Sequence, residues 1–238
     1  MTIGTDINAD LGEGFPNDLS LLDLVTSASV SCGAHAGDLD SIRATLAAAK
    51  ERRVVVGAHP GYPDPENFGR RDLTLEDSQV SRLITAQFES LSEIASGLGV
   101  QLRFIKPHGA LYNQAQRDEQ VARGVVLAVR RTGLPLLGQS GTVLEQVAAS
   151  FGVPYITEGF ADRRYEPDGK LVPRTRPDAL LHNDAEIEAQ VVRLVSHGLK
   201  TLCIHGDDPN AVANARRLRL IFAKHGIEPR FWGRTDSS

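Results

Sequence analysis

The chain has 238 residues, enough to bury a large core as one α/β barrel or as two small domains. Hydrophobic residues make up 41% and charged residues 24%, an ordinary globular balance, and the formal net charge of -4 argues against a nucleic-acid or membrane surface as partner. No window approaches eighteen apolar residues, so no membrane span is expected. Asp6 arrives before an apolar run could form, which reads against a signal peptide. Cys32 and Cys203 sit in apolar, strand-like runs and read as reduced core thiols of a cytoplasmic protein.

In chain order, Ile3 to Ala9 reads as a first strand emptying into Asp10-Leu11-Gly12-Glu13-Gly14. Asn17 is expected to cap a short helix carrying Leu21, Leu22 and Val25. Ala28 to Cys32 is a second strand, ending in Gly33-Ala34-His35-Ala36-Gly37-Asp38, and a helix with Leu39, Ile42, Leu46 and Ala49 on one face follows. The third strand starts at Val54 and stops near Gly57, delivering His59 into a loop broken by Gly61, Pro63 and Pro65 and closed by Gly69-Arg70-Arg71.

Thr74 to Asp77 resembles a capping box before a long helix that ends near Gly97 and Gly99. Leu102 to Ile105 is a fourth strand delivering Lys106-Pro107-His108-Gly109, with a helix from about Asp118 to Arg131 behind it. Leu134 to Leu137 is a fifth strand and Val153 to Thr157 a sixth, which ends at Glu158. From Gly159 to His182 there is little periodicity and three prolines, and a loop of that length inside a compact fold is usually functional. A helix from Asp184 to Ser196 leads to a seventh strand, Thr201 to Ile204, which delivers His205-Gly206-Asp207-Asp208. Asn210 can cap the last helix; Phe231 and Trp232 in the polar tail receive no assignment.

Strands alternating with helices imply a parallel sheet with right-handed crossovers, and no linker or break in composition divides the chain. The expectation is one α/β domain over 1–238, a seven-stranded parallel β/α barrel, with an open doubly wound sheet as the alternative.

In such folds the C-terminal strand ends share one face and build the site. Asp10, Glu13, His35, Asp38, His59, Lys106, His108, Glu158, His205 and Asp207 all fall there. A lone His beside Gly or Pro is often just a turn residue, and Asp10 and Glu13 could cap the first helix. Four histidines on one face are harder to dismiss, because buried polar clusters are costly unless they bind something. His182, His197 and His225 receive no role, and Arg71 could equally be solvated. The chain has no G-x-x-x-x-G-K-[ST] loop, no G-x-G-x-x-G after a strand, no G-x-S-x-G and no H-E-x-x-H.

The runs NADLGE (8–13), CGAHAGD (32–38), GAHPGYPD (57–64), FGRR (68–71), KPHGALYN (106–113), FADRRY (160–165) and HGDDP (205–209) are similar to those of the LamB/YcsF family, in order and over nearly the whole chain. Ser29 and Ser31 stand where the family usually has Asn and Ala, and the loop after Glu13 is shorter. The resemblance implies a seven-stranded barrel like that of polysaccharide deacetylases. It also implies the role of the A subunit in an ATP-dependent 5-oxoprolinase, opening the lactam of 5-oxoproline to glutamate with subunits B and C. ATP would then be bound in the complex with those partners.

On that reading Asp10 or Glu13 serves as base toward water, His59 or His108 protonates the leaving nitrogen, and Lys106 stabilises charge on the oxygen. His35, His205 and Asp207 complete the catalytic set. Arg70 or Arg163 holds the substrate carboxylate, with Asp38 and Glu158 as further substrate contacts. Two alternatives stay open. One is a stand-alone metal-dependent hydrolase using Asp10, His35, His59 and His205 as ligands of a divalent metal. The other is a non-catalytic subunit that binds a small carboxylate.

Overall fold

The computed structural model describes residues 4–166, 171–172 and 176–233. The elements are β1 (Gly4–Leu11), α1 (Asp18–Leu22), β2 (Ser27–Ser31), α2 (Leu39–Glu51), β3 (Val55–His59), a 3-10 turn (Pro65–Asn67), α3 (Asp77–Gly97), β4 (Leu102–Ile105), α4 (Gly109–Ala115), α5 (Glu119–Thr132), β5 (Leu136–Gly138), α6 (Val143–Ser150), β6 (Tyr155–Phe160), α7 (Asp184–Ser196), β7 (Thr201–His205), α8 (Ala211–Lys224) and β8 (Glu228–Pro229). Strands pair in parallel in the order β2-β3-β4-β5-β6-β7-β1, and β1 pairs again with β2, which closes a seven-stranded barrel. β8 adds a short parallel pair beside Gly4 and Thr5.

β1, β2, β3, β5 and β7 are buried almost throughout, so their period of two sorts side chains between two interiors. On β1, Ile7, Ala9 and Leu11 join the apolar layer under the helices, whereas Asp6, Asn8 and Asp10 point into the barrel. α5 crosses α3 closely because Gly124 carries no side chain: a Cβ there would lie 2.6 Å from the Asp77 carbonyl. At the N-terminal end the barrel is plugged by Phe104, Leu137, Phe231 and Trp232, with Phe104 and Phe231 rings 6.1 Å apart. The aromatic pair that the sequence left unassigned is therefore the floor of the barrel. Gly57 makes room for that floor, since a Cβ there would meet the Phe104 ring at 2.3 Å.

Several local expectations are corrected. The expected start of the first strand at Ile3 and the end of the tail lie outside the described residues. β1 continues to Leu11, because Asp10 pairs in register with both Ser29 and His205 and its backbone stays in the sheet. β6 is displaced toward the C-terminus, so Glu158 lies within the strand. Asn17 and Asn210 make no side-chain caps. The box at α3 is formed by Glu76 with Gln79, not by Thr74 with Asp77. α4, which had no sequence signal, packs its seven residues directly behind His108. Among the described residues no helix is long and apolar enough to cross a membrane.

Below the site the barrel interior is polar but closed. The Asp6 carboxylate accepts from Thr26 Oγ1 (2.5 Å), Ser27 Oγ (2.8 Å) and Thr201 Oγ1 (2.6 Å), and Asn8 links Ser27 to Ser29. Burial outweighs those donors and pushes Asp6 up to about 6. In the unfolded chain the same group titrates near 3.8, so the folded state takes up the proton first. The contribution is complete below that value and is lost as pH rises through about 6, a difference on the order of 3 kcal/mol. Asp6→Asn removes the titration. Urea unfolding across a pH series is expected to show wild type losing ground to Asp6→Asn between about pH 4 and pH 6; a pH-independent difference would count against it.

Candidate active site

The C-terminal end of the barrel opens into a cavity of about 260 Å³, lined among others by Asp10, Glu13, His59, Lys106, His108 and His205. Backbone geometry fixes this set. Pro107 restricts Lys106 to extended geometry, and the chain beyond the ends of β3 and β4 stays zipped through Lys106 N to Ala58 O (2.9 Å) and His108 N to Pro60 O (2.8 Å). Glu13 sits between Gly12 and Gly14, both at positive φ, and Gly37 packs against that turn so tightly that a Cβ would lie 2.0 Å from the Gly12 carbonyl. Phe68 adopts φ 55°, a left-handed conformation that costs a non-glycine residue roughly 1–2 kcal/mol. Its carbonyl accepts from His108 Nε2 at 2.9 Å, and its ring lies edge-on to His35 and His108.

Two polar groups share the cavity floor. In the first, Lys106 Nζ lies 2.9 Å from Asp10 Oδ1, 3.1 Å from Glu158 Oε2 and 2.9 Å from Cys203 Sγ. Asp10 Oδ1 and Cys203 Sγ accept hydrogen bonds from it, and Glu158 stands beside it as an ion-pair partner. Burial pushes the Lys106 ammonium down, but Asp10, Cys203 and Glu158 outweigh it and hold the group charged. Burial pushes the Asp10 carboxyl up, and His59, Lys106 and His205 overcome that, leaving it well below the usual carboxylate range. Asp10 Oδ2 also receives His205 Nδ1 at 3.3 Å, while His205 Nε2 has no hydrogen-bond partner among the described residues. The His205 ring stacks on Phe160.

The second group is Glu13, His35, His59 and His108. His59 Nδ1 donates to the Lys106 carbonyl (2.7 Å), and its Nε2 lies 3.1 Å from His108 Nδ1. Glu13 Oε1 is 3.1 Å from His35 Nε2, 3.3 Å from His108 Nδ1 and 3.9 Å from His59 Nε2. Burial holds His59 down at about 3, and therefore neutral. Burial pushes Glu13 up, but the imidazoles of His108, His35 and His59 around it bring it to about 2.

The remaining residues divide. Arg163 is buried, lines the cavity and donates to the Val172 carbonyl at 2.8 Å. Arg70 and Asp207 pair across the cavity mouth, with the Arg70 guanidinium 4.8 Å from the Phe68 ring centre. His35 stands behind Glu13 and His108, stacked on His108 with ring centres 3.7 Å apart. Glu158 lies under Lys106 rather than against the cavity. Asp38 is placed elsewhere: it is exposed and caps α2 in a box with Ser41. Arg71 is exposed as well.

Sequence reasoning missed Cys203, Tyr112 and Phe160. The signals were present: Thr201, Cys203 and His205 share one face of β7, and Tyr112 follows His108 by one helical turn. Cys203 remains a neutral thiol, raised by burial and by Asp10; Cys32 is raised to about 12 by burial and is no nucleophile.

The fold is a closed seven-stranded β/α barrel with carboxylates and imidazoles on its cavity floor. The chain belongs to the LamB/YcsF family, whose model matches residues 5–235. It is 44% identical over 242 residues to a protein of Methylococcus capsulatus named as the A subunit of 5-oxoprolinase, covering 93% of each chain. A solved structure, the lactam utilization protein from Thermus thermophilus, superposes with TM-score 0.90 at 36% identity, covering 95% of this chain and 99% of that one. A family 4 carbohydrate esterase from Streptomyces lividans shares the fold alone, at TM-score 0.50 and 14% identity over 96% of this chain and 93% of that one.

Lys106 is the counter-charge on which the first group depends. Lys106→Met leaves Asp10 and Glu158 buried without it, and is expected to lower stability by about 3–5 kcal/mol in urea titrations. Adding Asp10→Asn to that variant should recover part of the loss. A cost below about 1 kcal/mol for the single change would show that the ion pair is not integral to the fold.

Proposed function

We propose that this chain is the lactam-opening subunit of an ATP-dependent 5-oxoprolinase, converting 5-oxoproline to L-glutamate with partner subunits B and C. The observation that carries the reading is the Asp10–His205 pair at the cavity floor, in a chain 44% identical to a protein named for that activity. A five-membered lactam is a stable amide, so its carbonyl carbon must be made electrophilic, a water activated and the ring nitrogen protonated. Phosphorylation of the lactam oxygen by ATP supplies the first requirement. The sequence carries no phosphate-binding loop, so that step belongs to the assembled complex.

Asp10 and His205 supply the other two. Asp10 Oδ2 accepts from Nδ1–H and leaves His205 Nε2 as a lone pair, buried and without a hydrogen-bond partner among the described residues, in a side chain that lines the cavity. Nε2 takes one proton from water as the oxygen bonds to the carbonyl carbon. It returns that proton to the ring nitrogen as the carbon–nitrogen bond breaks, leaving γ-glutamyl phosphate, which a second water hydrolyses to glutamate and inorganic phosphate. His59 and His108, the donors expected from sequence, already give a hydrogen to backbone carbonyls. Lys106 holds Asp10 ionised, and two of its hydrogens are committed to Asp10 Oδ1 and Cys203 Sγ. Arg163 provides positive charge on the cavity wall for the substrate carboxylate, and Arg70 does the same at the mouth if it exchanges Asp207 for substrate.

The isolated chain with ATP and 5-oxoproline is expected to release no glutamate, and the complex with subunits B and C to release it; robust turnover by the chain alone would overturn the reading. In that complex His205→Asn is expected to lower kcat by on the order of a hundredfold or more, with the melting temperature little changed. Near-normal turnover by His205→Asn would remove His205 from the mechanism.

A further inference from the structure

Hydrogen-bond donors leave an unfilled centre in the second group. A backbone carbonyl only accepts, so the Lys106 carbonyl fixes a hydrogen on His59 Nδ1 and the Phe68 carbonyl fixes one on His108 Nε2. In the neutral rings the other two nitrogens, His59 Nε2 and His108 Nδ1, are then lone pairs, and they face each other at 3.1 Å. Glu13 Oε1, a third electron-pair donor, lies 3.3 Å from one and 3.9 Å from the other. Three donors converge on a point with no hydrogen between them. We propose that Glu13, His59 and His108 bind one divalent metal ion of the zinc class, open to the cavity.

The geometry fits such an ion. Ligands at 2.0–2.1 Å in a tetrahedron stand about 3.3 Å apart, against 3.1, 3.3 and 3.9 Å here. The two imidazole planes are nearly perpendicular, at 89°, so their lone pairs approach one centre from different directions. Each neutral ring donates its one N–H to a backbone carbonyl, the arrangement that orients metal-ligating histidines. All three residues line the cavity, which leaves a face for water or substrate. The surrounding charge favours a cation, since Asp10, Glu13 and Glu158 oppose only Lys106 and Arg163 among the buried charged groups described around the cavity.

Two other candidates fall away on geometry. His35 is stacked parallel to His108, at 6° between planes, so the two cannot aim lone pairs at one ion. It supports Glu13 instead, donating from Nε2 to Oε1 at 3.1 Å. Asp10, Cys203 and His205 also lie close enough to hold a metal, but the Lys106 ammonium sits 2.9 Å from both Asp10 Oδ1 and Cys203 Sγ and already occupies that position as a cation. The ligand set expected from sequence, Asp10, His35, His59 and His205, is thereby replaced. The binding does not depend on the lactam reading and is tested without turnover.

The experiment uses the full chain, stripped by chelator and then titrated with Zn²⁺ by calorimetry and with Co²⁺ by visible absorption. The expected result is one ion per chain, a raised melting temperature, and paramagnetic shifts of the His59 and His108 ring signals with Co²⁺. Glu13→Gln and His108→Ala should each weaken binding by about a hundredfold or more, and His35→Gln by roughly 10–100-fold as a positioning residue. His205→Gln should keep one tight site. Should a ligand variant fail to fold, the Co²⁺ shifts in the unsubstituted chain still decide the matter. Absence of stoichiometric binding, with His108 found as an imidazolium, would mean that a shared proton fills the centre and would overturn the proposal. Loss of the site in His205→Gln with retention in His108→Ala would overturn it too.

Discussion

The buried ammonium of Lys106 is the charge around which the upper barrel is arranged. It contacts Asp10 of β1, Glu158 of β6 and Cys203 of β7, so one cation ties three strands together from the end of a fourth. Removing an ion from water costs several kcal/mol, and that cost is offset only when acceptors surround it closely. Here they do, and the result is an Asp10 carboxylate held ionised inside the protein. Asp10 in turn fixes the hydrogen of His205 on Nδ1. The protonation state of the cavity floor therefore follows from the placement of one side chain, which Pro107 helps to aim.

This arrangement needs a barrel whose two ends differ. The N-terminal end is closed by Phe104, Leu137, Phe231 and Trp232, an apolar plug that keeps water out from below. Above it comes a satisfied layer in which Asp6, Asn8, Ser27, Ser29 and Thr201 bond to one another. Ser29 and Ser31 lie in this wall. Ser29 donates to Asn8, and Ser31 donates to the Ala36 carbonyl at the base of the loop carrying His35. The polar interior is thus graded from closed hydrogen bonds at the middle to open donors and acceptors at the mouth.

Much of this was legible in the chain. The alternation of β-branched runs with amphipathic helices gave the barrel, and the Gly- and Pro-rich junctions gave the strand ends where His59, His108 and His205 emerge. Local capping was less legible. Asn17 had the right residue type, yet its side chain turns toward the Asp208 carbonyl, a contact across 191 residues that no local rule anticipates. Asp38 looked like a site residue because it follows His35 closely, but a helix starts there and its carboxylate serves Ser41. Cys203 was read as core because its run is apolar. The outward neighbours Leu202 and Ile204 make it so, while the inward face of the same strand is polar.

Of the imidazoles around Asp10 and Glu13, His59, His108 and His205 are alike in sequence context, each following a strand next to Gly or Pro, and they separate by what holds their second nitrogen. A neutral His59 has its hydrogen committed to the Lys106 carbonyl, and a neutral His108 to that of Phe68, so His108 turns a lone pair toward Glu13 and His59 one that lies between Asp10 and Glu13. His205 has its hydrogen committed to a carboxylate, and Nε2 is left without a partner among the described residues. A carbonyl partner fixes a tautomer but adds no full charge; a carboxylate partner also stabilises the imidazolium that forms on protonation. The two arrangements suit different tasks, electron-pair donation to a fixed centre in one and proton movement in the other. That difference comes from the strained Phe68 backbone and from Lys106 beside Asp10, features spread over four strands and invisible in any one motif.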